Sequence, residues 1–244
     1  MDKLDKILKR KIKTGCRELK EQLSDETLEE LYSVYPFNKF EYIISHLISG
    51  QIIDINEYLS IRSSYINRNK YLYLFEITAP RTFGETWAQR HLNEIVPELQ
   101  RPDKTTDPNY TGEYDFWYNN IKIEVKASRA VRRQSGGRLI EKALSIEDHA
   151  SFDMNFQQLK PDCCDVFVWI GVWKDCIKYW VLSNEEVRSN KYFSKGQHRG
   201  NKQKEGQLWI KNSNIDDFNL YAVDVRHILD KIIEKSNQHT HCHE

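Results

Sequence analysis

The chain has 244 residues, of which 39% are hydrophobic and 12% aromatic, a composition that fits one folded domain with an appendage or two small domains. Its formal net charge of zero does not by itself predict a nucleic-acid partner. No apolar run approaches the roughly 20 residues that span a bilayer, and the Lys/Arg-rich start lacks the apolar segment of a secretory signal, so we expect no membrane partner. Five cysteines, including the adjacent Cys163 and Cys164, favour free thiols in a reducing cytoplasm over disulfides.

The charge is distributed unevenly along the chain. Residues 1–20 hold eight Lys/Arg against three Asp/Glu, whereas residues 21–60 hold one against eight. Two further basic blocks follow, with six Lys/Arg against one Asp/Glu in residues 126–142 and six against none in residues 188–204. Such blocks bind phosphates even in a neutral chain, although a solvated surface with uneven patterning is the alternative for any one of them.

Helical spacing dominates the first part of the chain. Apolar residues recur at helical intervals in residues 2–23, 24–34, 38–48 and 54–67, with Asp54 as an N-cap, while residues 71–77 suit a short strand or more helix. We therefore expect a helical recognition or dimerisation region over residues 1–78 and a second domain over residues 79–244. Polar residues 63–70 would suit a helix that reads a DNA groove, but the acidic residues 21–60 favour packing or dimerisation.

A helix and a loop come next. Phe83, Trp87 and Ile95 recur at helical spacing up to Pro97, which predicts a helix over residues 83–96. Glu85 lies in its first turn, where the helix dipole favours an acidic residue. Residues 101–112 are rich in Pro, Asp, Asn and Gly and are predicted to be loop.

Residues 113–127 predict a β-hairpin. Asn119 and Asn120 suit a two-residue turn, because asparagine tolerates positive φ better than most residues. This turn fixes the register of the strands. One wholly apolar face is then made by the pairs Tyr118–Ile121, Phe116–Ile123 and Tyr114–Val125. The other face carries the pairs Trp117–Lys122, Asp115–Glu124 and Glu113–Lys126.

The polar face of this hairpin suggests chemistry. Directly opposed residues have Cβ atoms roughly 5 Å apart, so Asp115 and Glu124 would place two carboxylates side by side. A hard cation such as Mg²⁺ would relieve their repulsion, and Lys126 could then orient a water or stabilise charge on a phosphate. The alternative is a surface hairpin with one wet face. Asp103 and Asp107 are rival acids in the preceding loop, but only Asp115 has a register that meets Glu124.

Basic, glycine-spaced segments follow the hairpin. The segment after Lys126 and the loop of residues 191–206 both suit contacts to a phosphate backbone or to base edges, although a disordered surface loop is the alternative for the second. The expected DNA contacts are Arg129, Arg132, Arg133, Arg138, Lys195, Gln197, His198, Arg199, Asn201 and Lys202.

The remaining pattern predicts further elements. Residues 151–159 suggest a helix, and the nearly continuous apolar run 165–173 predicts a strand buried on both faces, followed by a second strand over residues 176–182. Shorter elements are a helical or extended piece at 139–144, a helical turn at 185–187, a strand at 207–210, a strand or helix at 215–225 and a helix at 227–235. The histidines of residues 239–243 would suit zinc, but we expect a frayed tail.

The hairpin residues resemble a known family. Asp115, an eight-residue gap and then Glu124-Val125-Lys126 match the Asp…(Asp/Glu)-x-Lys signature of the PD-(D/E)xK nuclease superfamily, and the chain is similar to type II restriction endonucleases in particular. The departure is Tyr114, where the named pattern has proline. The predicted order helix, hairpin, helix, buried strand, strand over residues 83–182 resembles the αβββαβ core of that fold.

The resemblance implies an α/β fold with a restriction-endonuclease-like core, in which helices flank a central mixed sheet. It also implies sequence-specific cleavage of double-stranded DNA by a homodimer, with Lys126 positioning or helping to deprotonate the attacking water. The implied Mg²⁺ ligands are Asp115, Glu124, the carbonyl of Val125 and, on the preceding helix, Glu85 or less favourably Glu94. Two alternatives stay open, namely a structure-specific repair or recombination nuclease of the same fold and a DNA-binding protein without catalysis.

Overall fold

The structure is a computed structural model and describes residues 41–133, 136–196 and 205–237. The chain divides into two compact units, Met1–Tyr73 and Leu74–Glu244. Among the described residues, no helix is both long and apolar enough to cross a membrane. Several predictions fall outside the described residues, namely the helices of residues 2–34, the histidine-rich tail, and the expected DNA contacts Gln197, His198, Arg199, Asn201 and Lys202.

The described part of the first unit contains two α-helices, α1 (Glu41–Ser49) and α2 (Ile55–Arg68), as predicted. Asp54 caps α2, because its carboxylate accepts hydrogen bonds from the backbone N–H groups of Asn56 at 2.8 Å and Glu57 at 3.1 Å. These N–H groups have no partner inside the helix, so the cap fixes where α2 begins. Residues 71–77, left open between strand and helix, contain a 3₁₀ turn, Leu72–Phe75.

The first helix of the second unit is a π-helix, Thr82–Ala88, which runs directly into α3, Gln89–Ile95. Together they make up the predicted helix over residues 83–96, with a wider first half. Phe83, Trp87 and His91 recur every four residues and stack along it, with ring centroids 5.1 and 4.9 Å apart. The stack continues to Tyr179, whose hydroxyl lies 2.7 Å from Nε2 of His91. These contacts hold the helix against one face of the central sheet.

A five-stranded mixed sheet forms the centre of the second unit, in the order β1-β2-β5-β6-β9. Strands β2 and β5 are parallel, and the other neighbours are antiparallel. The strands are β1 (Phe116–Tyr118), β2 (Ile121–Arg129), β5 (Val166–Val172), β6 (Ile177–Ser183) and β9 (Ala222–Val223). Every residue of β5 is buried, which confirms the prediction of a strand covered on both faces.

A second, four-stranded antiparallel sheet has the order β3-β4-β8-β7. Its strands are β3 (Val131–Arg132), β4 (Phe152–Leu159), β7 (Phe193–Lys195) and β8 (Gly206–Lys211). The predicted helix over residues 151–159 is therefore wrong. Phe152, Phe156 and Leu159 have helical spacing, but Phe152, Met154 and Phe156 also alternate, and pairing with β8 buries this alternating set.

The two sheets pack face to face around a large apolar cluster. Phe156 of β4 stacks on Trp169 of β5, with ring centroids 4.8 Å apart. Gly171 of β5 is required where the layers approach closely, because a Cβ there would lie 2.6 Å from the ring of Trp180 and 3.2 Å from the sulfur of Met154. The second unit is thus a three-layer arrangement of helices, a mixed sheet and a smaller antiparallel sheet.

The connection between the parallel strands β2 and β5 differs from the expected one. It contains β3, a 3₁₀ turn (Leu139–Lys142) and β4 in place of the predicted helix. The later elements agree with prediction except for β7, which lies in residues predicted to be loop. A short helix α4 (Asn184–Arg188) begins at a Ser183 N-cap, residues 215–225 contain a 3₁₀ helix (Ile215–Tyr221) and β9, and α5 (Ile228–Asn237) follows a 3₁₀ turn, Val225–His227.

Candidate active site

The β1–β2 hairpin has the predicted turn and register over its first three pairs. Asn119 and Asn120 have φ angles of 45° and 67°, as the two-residue turn requires. The observed pairs are Tyr118–Ile121, Trp117–Lys122 and Phe116–Ile123. The register does not continue beyond Phe116, and the predicted pairs Tyr114–Val125, Asp115–Glu124 and Glu113–Lys126 are absent from the ladder.

Tyr114 turns away from Val125 and leaves the strand. Its hydroxyl donates a 2.8 Å hydrogen bond to the buried carboxylate of Asp107, which also pairs with Lys122 at 3.2 Å. The ring of Tyr114 packs beside Trp117, with centroids 6.2 Å apart. At this point Tyr114 therefore satisfies the buried carboxylate of Asp107 and does not pair with Val125 in the ladder.

Asp115 reaches Glu124 by a route other than cross-strand pairing. Its backbone N–H donates to Ile123 O at 3.0 Å, and its Oδ2 accepts a 2.8 Å hydrogen bond from Val125 N–H. The charge of Glu124 contributes to the raised pKa of Asp115, so the two carboxyl groups lie close together. The side-by-side placement of the two acids is thus observed, although the geometry behind it differs from the predicted one.

Burial, followed by the charge of Glu124, raises the pKa of Asp115 to about 7. Near neutral pH this carboxyl group is therefore only partly ionised. Two neighbouring acids in a half-buried place repel each other when both are ionised, so a cation bound between them would be stabilising.

Lys126 completes the group. Its Nζ lies 2.6 Å from Oε1 of Glu124, instead of pairing with Glu113 as expected. Burial by itself lowers the pKa of Lys126, but the carboxylates of Glu124 and Asp115 outweigh burial and raise it above the ordinary value. Lys126 is accordingly an ammonium group that can donate hydrogen bonds.

Gln89 and Arg101 are two members of the site that sequence reasoning missed. Gln89, at the start of α3, donates from Nε2 to Oδ1 of Asp115. Arg101 donates from Nη1 to Oε1 of Gln89 at 2.6 Å and lies over the ring of Phe116, 4.4 Å from its centroid. The available signal for Gln89 was its position one helical turn after Glu85, but nothing in the loop sequence singles out Arg101.

These groups line a cleft of about 830 Å³ along the outer edge of β2. Because β1 pairs only with Ile121–Ile123, no described strand covers that edge from Glu124 onward. In a strand, the N–H and C=O of one residue point to the same edge, so the carbonyl of Val125 faces the side of Asp115. The cleft is lined by Glu85, Gln89, Arg101, Asp115, Glu124, Val125, Lys126, Ser128, Arg129, Gln157 and Lys160, among others.

The helix acids and the rival loop acid have other partners. Glu85 lines the cleft but is exposed and paired with Arg81 at 2.5 Å. Glu94 pairs with Arg90 at 2.7 Å and is not among the lining residues. Asp103 is exposed and accepts hydrogen bonds from the N–H groups of residues 105 and 106, which makes it the organiser of a loop turn.

The expected DNA contacts in the described part are dispersed. Arg129 lines the cleft, but its Nη1 donates to the carbonyls of Leu74 at 2.9 Å and Ile77 at 2.6 Å, and burial lowers its pKa to about 10. Its guanidinium also lies 4.1 Å from the ring centroid of Phe83. Of the others, Arg132 lies on β3, Arg133 near Asp153, Arg138 beside Glu141 and Lys195 on β7, and none of these four lines the cleft.

The donor set fits a magnesium ion that retains water ligands. The described residues contain no group of three or more His, Cys, Asp or Glu side chains placed to hold a metal ion. Mg²⁺ is usually held by one or two carboxylates together with waters and substrate phosphates, so Asp115, Glu124 and the Val125 carbonyl are a sufficient protein contribution. The repulsion between the two carboxylates, which contributes to the raised pKa of Asp115, marks where positive charge is needed.

Comparison with known proteins adds no relative to this picture. No model of a protein family matches the chain, and no curated protein matches it significantly. The functional interpretation therefore depends on the residues of the cleft and on the resemblance of their sequence pattern.

Proposed function

We propose that this protein is a Mg²⁺-dependent endonuclease that hydrolyses phosphodiester bonds of double-stranded DNA. The single observation that carries the proposal is that Asp115, Glu124 and Lys126 come together at the uncovered edge of β2, inside one cleft. Two acids and one ammonium group in this arrangement suit a metal ion, a water and a phosphate.

The protein groups have distinct roles in this proposal. Asp115, Glu124 and the Val125 carbonyl hold the metal, whose chemical contribution when bound is to lower the pKa of a coordinated water and to polarise the phosphate. Lys126, as an ammonium group, orients the water and donates to the phosphate oxygens, where negative charge increases in the transition state. Its protonated state in the cleft favours this donor role over a role as general base.

The fold is compatible with a restriction-endonuclease-like core. The mixed sheet carries the acids and lysine on a hairpin, and a helix packs beside that hairpin, as the resemblance implies. The departure is the β2–β5 connection, which contains strands of the second sheet where the resembled core has a helix. The connection adds Gln157 and Lys160 to the lining of the cleft, but it supplies none of Asp115, Glu124 and Lys126.

Site-specific cleavage by a homodimer is the further content of the proposal. It extends the resemblance to type II restriction endonucleases, in which two-fold symmetry lets two copies cut the two strands. The helices of the first unit and the basic loop after β7 are the segments we assign to dimer formation or to base contacts.

Incubation of the purified protein with plasmid and phage DNA, with Mg²⁺ or with EDTA, tests the proposal. Discrete Mg²⁺-dependent fragments that disappear in Asp115→Asn and Glu124→Gln are the expected result. Asp103→Asn is the matched control, because Asp103 is the nearby acid that directly follows a proline but points its carboxylate into a loop turn. A Mg²⁺-dependent smear would indicate a structure-specific or non-specific nuclease, and intact DNA under every condition would reject catalysis.

A further inference from the structure

A chain of hydrogen bonds enters the site from one side. Arg101 Nη1 donates to Gln89 Oε1, and Gln89 Nε2 donates to Asp115 Oδ1. A guanidinium group has donors only, so the oxygen of Gln89 must face Arg101 and its amide nitrogen must face Asp115. The orientation of Gln89 is therefore determined by its partners.

Gln89 completes the positioning of Asp115. Val125 N–H already donates to Oδ2 of Asp115, and the second oxygen is occupied by Gln89. With one donor fixed on each oxygen, the carboxylate cannot rotate, and each oxygen keeps a further lone pair for a ligand. This is the kind of support that holds a metal-binding carboxylate in a productive orientation.

Arg101 retains capacity for another partner. Arg81 and Arg90 nearby form ion pairs with Glu85 and Glu94, whereas no described carboxylate forms an ion pair with Arg101. One face of its guanidinium rests on Phe116, its side chain is exposed and it lines the cleft. The guanidinium of Arg101 is fixed by one hydrogen bond and by an aromatic ring, and its remaining N–H donors are available. An arginine held in this way can bind an anion through two parallel hydrogen bonds.

We propose that Arg101 binds a phosphate of the nucleic-acid substrate beside Asp115, and that Gln89 is a positioning residue that links this phosphate contact to the orientation of Asp115. The proposal deepens the nuclease assignment and rests on it. A phosphate close to Asp115 and Glu124 needs positive charge around it, and Arg101 supplies that charge next to Asp115, complementing Lys126 beside Glu124.

DNA binding tests the role of Arg101 without depending on catalysis. The affinity of a short fluorescein-labelled DNA duplex is measured with Ca²⁺ in place of Mg²⁺, over a range of salt concentrations, for the wild type, Arg101→Ala, Arg101→Lys and Arg90→Ala. We expect Arg101→Ala to weaken binding about 10-fold and to reduce the slope of log affinity against log salt by about 0.9, the value for one lost phosphate contact. Arg101→Lys should recover the slope, and Arg90→Ala should leave it unchanged.

The outcomes separate this proposal from the nuclease assignment. If the wild type cleaves DNA but Arg101→Ala and Arg90→Ala have the same salt slope and rate, the phosphate contact is rejected and the nuclease stands. If the wild type does not cleave DNA, but Arg101→Ala has a lower affinity and a smaller salt slope while Arg90→Ala is unchanged, the phosphate contact stands and catalysis is rejected. Equal binding by all four proteins rejects the contact whether or not DNA is cut.

Gln89→Glu tests the positioning role with almost no change in volume. A glutamate can still accept from Arg101 but, when ionised, cannot donate to Asp115. We expect the Mg²⁺ concentration for half-maximal cleavage to change at least 5-fold and kcat to fall at least 10-fold, with DNA affinity in Ca²⁺ weakened no more than by Arg101→Ala, because the new carboxylate pairs with Arg101. Gln157→Glu adds the same charge at an exposed position of the same cleft. Equal behaviour of both variants would show that charge in the cleft, and not the bond to Asp115, is responsible.

Discussion

The carboxylate of Asp115 occupies the place of a strand partner for Val125. Its Oδ2 accepts the N–H of Val125 at 2.8 Å, at the point where β1 has left the ladder. One side chain therefore satisfies a backbone donor at the edge of the sheet and at the same time faces Glu124. The position of Asp115 relative to Glu124 therefore depends on where β1 ends.

Replacement of Lys126 by alanine should abolish cleavage while DNA binding persists. The ammonium group is the donor closest to Glu124, and loss of a donor of this kind typically costs about 10²- to 10³-fold in kcat. Cleavage rate and duplex affinity are the two measurements. Lys122→Ala is the control, because Lys122 lies on the same strand but pairs with Asp107 outside the cleft. Comparable rates for the two variants would contradict a catalytic role for Lys126.

The metal-free protein should lose stability as pH rises from about 4 to about 7. Asp115 has a folded-state pKa of about 7, against roughly 3.9 in an unfolded chain, so the native state binds the proton more tightly within this window. The protonated form contributes its full stability below the pKa of the unfolded state. This stability is lost as the pH approaches the pKa of the folded state, by an amount on the order of 1–4 kcal/mol.

Urea unfolding with EDTA at several pH values measures this loss. Asp115→Asn cannot ionise, so its stability should exceed that of the wild type increasingly towards pH 8, while the two proteins differ least near pH 4. A constant difference across this range would contradict the raised pKa. Added Mg²⁺ should stabilise the wild type more at pH 8 than at pH 6, because the metal competes with the proton.

Arg129→Ala should destabilise the second unit by roughly 2–3 kcal/mol. The guanidinium donates to two backbone carbonyls, of Leu74 and Ile77, and covers the ring of Phe83, so its loss leaves acceptors without a donor. Chemical unfolding measures the change. Arg138→Ala removes an exposed arginine paired only with Glu141 and should stay within about 0.5 kcal/mol of the wild type. A loss of DNA affinity with unchanged stability would instead assign Arg129 to substrate contact.

Gly171→Ala should cost about 1–3 kcal/mol, because the added Cβ would overlap the ring of Trp180 in a close-packed interior. Gly84 offers the opposite case, since a Cβ there meets nothing within 4 Å and alanine is the better helix former. Gly84→Ala should therefore be neutral or slightly stabilising. Thermal unfolding of both variants measures the two effects, and equal unfolding midpoints would contradict close packing at Gly171.

Local pattern was sufficient to predict much of the second unit. The hairpin turn, the buried strand β5, its neighbour β6 and the short helix α4 follow from turn chemistry, hydrophobic runs and spacing over a few residues. Strand β4 was predicted as a helix because its apolar residues satisfy both periods, and only the partner strand β8, about 50 residues later in the chain, decides between them.

The candidate site was predictable to the same extent. The Asp115, Glu124 and Lys126 set could be found from an ideal hairpin register, but the structure assembles it through a strand that ends early. Gln89 and Arg101 could not be found in this way, because their role depends on a helix and a loop that meet only in three dimensions. Glu113 was expected to pair with Lys126. The structure instead pairs Lys126 with Glu124, which lies on the same strand as the lysine.

The parallel pairing of β2 with β5 has a consequence for how the protein reaches its native state. The backbone N–H of Lys122 is held by the carboxylate of Asp165, 43 residues later, and the chain between the two strands supplies β3 and β4 to the second sheet. Closing so long a connection carries an entropic cost that slows folding, and parallel strands gain no help from a tight turn. The part of β2 that carries Glu124 and Lys126 is therefore expected to join the finished sheet late in folding, so an incompletely folded chain would not yet carry the complete candidate site.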